Sequence, residues 1–243
     1  RAEPDGYTLL LALAGNISVA PVVKPQTINY KVPDSFAPIG LMLEAPHGMF
    51  VAKNSRFANA RDFFAAARTE KLSCASTGAG GASHMALEMA KQATQTTVLH
   101  VPYKGSGPAL TDLLGGQIDC FFAPASALVG AVRQGQLKLL AISGGQRSPA
   151  IADVPTFNEL GIPVPITQWY GLLAPAGTPD KVIDHLSEHL SRALRQPEVI
   201  ATIQKDAAME KDLPKARFRD FIVRDMAQYR RILTPELSRE LTQ

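Results

Sequence analysis

Residues 76–84, Ser-Thr-Gly-Ala-Gly-Gly-Ala-Ser-His, are the stretch of this 243-residue chain best equipped for chemistry. Leu72, Cys74 and Ser76 alternate as in a strand, and Met85, Leu87 and Met89 follow the glycines among good helix formers. A strand that turns through Gly78, Gly80 and Gly81 into a helix leaves backbone N–H groups unpaired at the positive end of the helix dipole. With the hydroxyls of Ser76, Thr77 and Ser83, such a loop suits a carboxylate or another small anion. It is not a nucleotide cradle of known type. Gly78 and Gly80 fit the first two glycines of the dinucleotide fingerprint, but Ser83 stands at the third, and no acidic residue follows about twenty residues on. No Lys follows the glycines, as a Walker loop requires. A tight turn that needs glycine only for its backbone conformation is the competing reading.

Other residues invite chemistry singly. His84 falls in the first helical turn, where it could contact a ligand or act as a general base. No Ser or Cys partner can be assigned to it and no Gly-x-Ser-x-Gly elbow occurs, so a hydrogen-bonded structural histidine is favoured. His185, Glu188 and His189 match the H-x-x-E-H zinc-peptidase spacing, but Val182, Ile183, Leu186 and Leu190 define the apolar face of that helix and leave His185 and Glu188 towards solvent. A zinc would also need a third ligand from elsewhere. Tyr103, Lys104, Gly105 and Ser106 lie between a strand and a helix, bringing a second helix N-terminus to the same sheet edge, where Lys104 could neutralise an anion. Asp119 could hydrogen-bond a ligand or cap a turn. Trp169, the only tryptophan, suits aromatic packing in a crossover or a cleft wall.

The elements that position these groups alternate. Strands are expected at 7–13, 38–42, 48–52, 71–76, 97–103, 118–123, 137–143 and 169–174, mostly continuous apolar runs as in parallel strands covered on both faces. Helices fall between them, with Asn59, Ser106 and Ser126 as N-caps. The pattern predicts a βαβ architecture with a mainly parallel sheet. After residue 177 only helices are expected, opened by Thr178-Pro179 and Pro197, with a third carrying Phe218, Ile222, Met226, Tyr229 and Leu233.

Composition excludes more than it selects. At 46% apolar and 19% charged, the chain is of ordinary globular make-up, and its longest apolar runs are too short to cross a bilayer. A net charge of +3 with scattered Lys and Arg gives no basic stripe for nucleic acid. Cys74 and Cys120, both in expected strands, read as buried free thiols, and so leave the compartment undecided. The first residue is Arg1 rather than Met, with no basic-then-apolar leader, so a removed targeting segment or a fragment of a longer chain is expected.

Five blocks, "PDGYTLLLA" at 4–12, "STGAGG…H" at 76–84, "HVPYKGSGPALTDLLGGQID" at 100–119, "LKLLAISGGQRSPAIADVPTFNELG" at 137–161 and "WYGLLAPAGTP" at 169–179, occur in an order that resembles the substrate-binding proteins of the tripartite tricarboxylate transporters, the Bug family of Gram-negative periplasmic receptors. The resemblance covers nearly the whole chain. It implies an α/β, type II periplasmic-binding-protein fold with a ligand cleft between two α/β domains, residues 1–51 with 166–243 and residues 52–165. It further implies a receptor and not an enzyme, without a cofactor or metal, that carries a small carboxylate (a dicarboxylic acid, an amino acid or an aromatic acid) to membrane transporter subunits. On that reading Ser76, Thr77, Gly78, Gly80 and Gly81 donate to the carboxylate, Tyr103, Lys104, Gly105 and Ser106 line the far side, and Asn16 and Trp169 form the first-domain wall. The family's opening strand, Gly-Gly-x-x-Asp-type loop, helix and second strand do not precede the first block here, so the first domain is expected to be incomplete. Gly81 and Ala82 stand where relatives often carry Ser or Thr, and Ile17 and Ala20 where they often carry His and Asn. The alternatives are a hydrolase or zinc-dependent enzyme using His84 or the His185/Glu188/His189 set, and a truncated relative that no longer binds solute.

Overall fold

The computed structural model describes residues 2–242. In chain order the elements are β1 (Leu10–Leu13), a π-helical turn (Gly15–Val19) running into α1 (Ala20–Val23), β2 (Phe36–Ala52), α2 (Ala60–Ala66), β3 (Ser73–Ser76), α3 (Ala82–Thr94), β4 (Leu99–Pro102), α4 (Ser106–Leu114), β5 (Cys120–Pro124), α5 (Ala125–Arg133), β6 (Leu137–Ile142), β7 (Thr167–Pro175), α6 (Asp180–Leu194), α7 (Pro197–Lys205), β8 (Met209–Pro214), α8 (Lys215–Ile232) and α9 (Pro235–Thr242). They sort into two compact units. The first holds the chain up to Glu44, then Gln168–Lys205 and Met209–Glu236. The second holds Ala45–Thr167, Asp206–Ala208 and the chain from Leu237.

In the first unit β1 runs antiparallel to β7, Leu10 opposite Leu173, and β7 neighbours the opening half of β2. That half of β2 also pairs antiparallel with β8, Gly40 opposite Pro214. Phe218, Ile222 and Met226 of α8 pack on Ala12, Leu41, Trp169 and Leu173. Gly171 has to be glycine, because a Cβ there would lie 2.3 Å from Phe218 Cζ and 2.9 Å from the Gly40 carbonyl oxygen. β1 has a strand partner on one side only among the described residues, and Tyr7, Leu9 and Leu11 are exposed.

In the second unit the closing half of β2 pairs antiparallel with both β5 and β6, and β5, β3 and β4 continue in parallel. Phe50, Ala75, Phe121 and Leu139 of these strands meet Ala109 and Leu113 of α4 and Leu128 of α5 in one buried cluster. α2 begins as its sequence predicts, with Asn59 Oδ1 accepting the Asp62 N–H at 3.0 Å. Gly105 rather than Ser106 caps α4, and Pro124 rather than Ser126 caps α5.

Four expectations change. The sheet is mixed: β3 runs parallel to β4 and β5, whereas β2 meets β5, β6 and β8 antiparallel. The strands expected at 38–42 and 48–52 are one strand, whose Pro46 falls where β2 exchanges β8 for β5 and needs no ladder N–H. β8 lies within the region expected to be all helix. Finally, Cys74 and Cys120 are not free. They stand opposite each other on β3 and β5, Cα atoms 4.5 Å apart, and form a disulfide.

Candidate functional site

The Gly-rich loop lies where expected, between the end of β3 at Ser76 and the start of α3 at Ala82. Gly80 adopts φ +70°, a left-handed conformation that side chains with a Cβ resist. Much of the loop's hydrogen bonding is internal. Thr77 N–H donates to Ser83 Oγ at 3.0 Å, and the two hydroxyls bond at 2.7 Å. Gly78 N–H reaches Ser76 Oγ at 3.3 Å, Gly81 N–H reaches the Gly78 carbonyl at 3.2 Å, and Gly80 N–H donates to His84 Nδ1 at 3.0 Å. The backbone donors of Thr77, Gly78, Gly80 and Gly81 therefore shape the loop from within. Besides Ala79, the N–H groups that find no acceptor among the described residues lie further on, at Ala82, Ser83 and His84 in the first turn of α3.

A second turn abuts the first. Tyr103 N–H donates to the Ser76 carbonyl at 3.1 Å and Gly105 N–H to the Thr77 carbonyl at 3.2 Å, so the start of α4 is tied to the Gly-rich loop. Among the described residues, the N–H groups of Ser106 and Gly107 that open that helix have no acceptor, and exposed Lys104 has no carboxylate partner. Tyr103 uses its hydroxyl on Asp112 at 2.6 Å, a bond that, with some burial, pushes its phenol up to about 12. Two helix N-termini thus open side by side beyond the C-terminal ends of β3 and β4. That arrangement favours an anion.

Beneath the loop sits a buried polar group. The His84 and His100 rings stack with centroids 3.5 Å apart and planes within 15°. His84 Nε2 lies 3.4 Å from Glu88 Oε1, and Glu88 pairs with Lys91 at 2.7 Å. Burial raises the Glu88 carboxyl, but hydrogen bonds from His84 and Lys91 and the charge of Lys91 outweigh it and leave it below its ordinary value. His100 is pushed down to about 4, chiefly by burial. His100 Nε2 is 2.7 Å from Ser76 Oγ, the spacing of a nucleophile and its base. Ser76 is fully buried, however, and its hydroxyl also serves Gly78, so no face of it is left for a substrate. The i, i+4 placement of His84 and Glu88, and the His that interrupts the apolar run of β4, are the sequence signals that would have located this group.

The remaining candidates are employed elsewhere. Asp119 Oδ2 accepts from Ser73 N–H at 2.8 Å and Ser73 Oγ at 3.0 Å, joining the starts of β3 and β5. In the first unit, Trp169 is fully buried and donates Nε1–H to Asp225 at 2.6 Å, between Phe218 and Phe221, so its ring offers no wall surface. Asn16 Oδ1 accepts the Leu13 N–H at 2.8 Å and closes the turn after β1. His185 and His189 touch edge to face on α6, with ring centroids 4.3 Å apart, and no group of three or more metal-ligating side chains occurs among the described residues. Nor is any described helix long and apolar enough to cross a membrane.

Against known proteins, residues 1–235 match the family model described as tripartite tricarboxylate transporter family receptor. A protein from the tcbD–tcbE intergenic region of Pseudomonas sp. strain P51 is 30% identical over 84% of this chain and 62% of its own length. BugT of Bordetella pertussis is 30% identical over 94% of this chain and 71% of its own. The chain thus spans about three fifths to seven tenths of the length of these curated relatives. Among solved structures, the periplasmic binding protein BugD superposes with a TM-score of 0.86 at 28% identity, over 96% of this chain and 79% of that one. MatC of Rhodopseudomonas palustris, solved with bound malate, also gives 0.86 at 28% identity, over 95% and 80%. The fold is the α/β fold of periplasmic binding proteins.

Proposed function

The chain belongs to the tripartite tricarboxylate transporter receptor family, a family of solute-binding proteins, and from that membership we propose a receptor that captures a small carboxylate and delivers it to the membrane subunits of such a transporter. One observation carries the carboxylate. The unpaired N–H groups of Ala82, Ser83 and His84 and those of Ser106 and Gly107 open side by side, joined by the Gly105–Thr77 bond. A carboxylate oxygen accepts two such donors without needing a cation, and two helix dipoles favour its charge. The malate held by the MatC relative belongs to the same chemical class. The Cys74–Cys120 disulfide suits folding in an oxidising compartment, which supports a periplasmic site of action.

A thermal-shift series with malate, succinate, citrate, single amino acids and benzoate tests the proposal, with the amide of each active compound as its control. A ligand that binds only the folded chain, at about a hundred times its dissociation constant, adds about 2.7 kcal/mol. Stabilisation by one carboxylate class, lost in its amide, is the expected result. A cooperative melt unmoved by every carboxylate overturns the proposal.

A further inference from the structure

We propose that Glu88 is a positioning residue for anion capture: it holds His84 in the tautomer that receives the Gly80 N–H, and through that bond it sets the loop that presents the first-turn donors of α3. The inference rests on the carboxylate reading above. Because Gly80 donates to His84 Nδ1 at 3.0 Å, that nitrogen carries no proton and the ring proton sits on Nε2. Nε2 faces Glu88 Oε1 at 3.4 Å, one helical turn on. The ring cannot turn to exchange its nitrogens, because His100 lies flat against it and is itself held by Ser76. Only the tautomer is then free to change, and the carboxylate decides it. A proton on Nδ1 would set two N–H donors against each other and force the Gly80 peptide out of the position that leads into Gly81, the N-cap of α3.

The position of Glu88 points to this task rather than to stability. Its side chain is 3% exposed, and among the described residues Lys91, 12% exposed, is the one cation that balances it. Buried ion pairs are generally no more stabilising than well-packed apolar side chains of similar volume. A leucine at 88 on the buried face of α3 would leave the Nε2 proton of His84 without an acceptor and the Lys91 ammonium without its partner, so the stability of each variant is read beside its effect on the loop.

The experiment compares the wild type with Glu88→Leu and Glu88→Gln, with circular dichroism to verify folding and Glu88→Met as a second apolar variant. Two-bond ¹⁵N–¹H spectra of the histidine rings report the tautomer of His84, the Gly80 amide resonance reports the loop, and calorimetry with malate reports capture. In the wild type, the His84 ring proton is expected on Nε2, with Nδ1 accepting from Gly80. Glu88→Gln keeps an acceptor for that proton, so it retains the tautomer and holds malate affinity within about threefold, whereas an apolar residue mixes the tautomers, moves the Gly80 amide and weakens malate about tenfold or more. In a His84→Asn background, where the amide oxygen itself can accept from Gly80, removing Glu88 should weaken malate no further. A wild-type proton on Nδ1, an unmoved Gly80 amide in the apolar variants, or equal losses in Gln and Leu would each overturn the proposal. Should the wild type bind no carboxylate at all, the receptor reading fails, while the tautomer and the Gly80 amide still decide this one.

Discussion

Breaking the Cys74–Cys120 bond should destabilise the second unit by several kcal/mol. The two cysteines are 46 positions apart, and chain-entropy reasoning assigns a closed loop of that order about 4 kcal/mol of stabilisation, between about 3 for a 15-residue loop and about 4.7 for a 100-residue one. In a chain of this size 1 kcal/mol moves Tm by roughly 2–4 °C, so the bond is worth about 8–16 °C in the unfolding of that unit. Both sulfurs are fully buried, so two perturbations separate the cross-link from its packing. Refolding from denaturant with reductant removes only the bond, and Cys74→Ala with Cys120→Ala removes the bond and the sulfur volume, adding a further cavity loss of about 1–2 kcal/mol. Differential scanning calorimetry of the oxidised, reduced and double-alanine forms gives the three values. A maleimide count of two thiols on denatured, never-reduced protein would refute the reasoning outright. Oxidised and reduced transitions within about 2 °C would refute its magnitude.

The other expectations concern single side chains. His47 is fully buried, neither ring nitrogen has a hydrogen-bond partner among the described residues, and burial lowers it to about 4. The unfolded chain then takes up its proton first, and stability falls as pH drops from about 6.5 to about 4. His47→Leu should flatten that slope in urea melts and add about 1–3 kcal/mol near neutrality; a loss there would contradict the assignment. Asp225 is raised to about 6, chiefly by burial and against the hydrogen bond from Trp169. Its proton therefore favours the folded state at low pH, and that contribution disappears as pH rises through about 6. Since Trp169 is the only tryptophan, its emission should titrate near pH 6 and cease to do so in Asp225→Asn; a flat wild-type curve would count against it. Gly80→Ala should cost about 1–2 kcal/mol in backbone strain and, on the proposed receptor reading, weaken whichever carboxylate the wild type captures, because φ is +70° there. Unchanged calorimetric titrations would show that the loop tolerates rearrangement.

What the sequence discloses, and what it withholds, divides along a physical line. The strand–loop–helix at 73–94 was legible, because three glycines interrupt a change of apolar period from two to 3.6. Asn59 was legible as a cap for the same local reason. Features that depend on which strands meet were not. Cys74 and Cys120 are joined because β3 and β5 are neighbours in a register that composition does not carry. β2 reads as two strands because Pro46 looks like a terminator, and only the exchange of partners at that point makes it harmless. β8, Met-Glu-Lys-Asp-Leu-Pro, carries three charged residues in a row between Met209 and Leu213, so no period-two alternation marks it as a strand among the helices. The donors of the loop were displaced by a few residues for a subtler reason. Glycine content predicts that a chain turns, but the direction of each N–H follows from φ and ψ, and from Ser83 and His84 folding back on the turn.

That displacement matters for the proposed capture step. Loop amides already bonded to Ser76, Ser83 and His84 cannot relax toward a ligand, so the first-turn donors of α3 stand in place before the ligand arrives. Three charge-assisted bonds of about 1.5–3 kcal/mol each give about 4.5–9 kcal/mol, a range spanning roughly millimolar to sub-micromolar affinity. A buried lysine at the same point would strengthen attraction in every direction and slow release, whereas fixed N–H groups are strong only along their own axes. A receptor that must give its solute up gains from that difference: a carboxylate shifted by an ångström or so loses most of what held it.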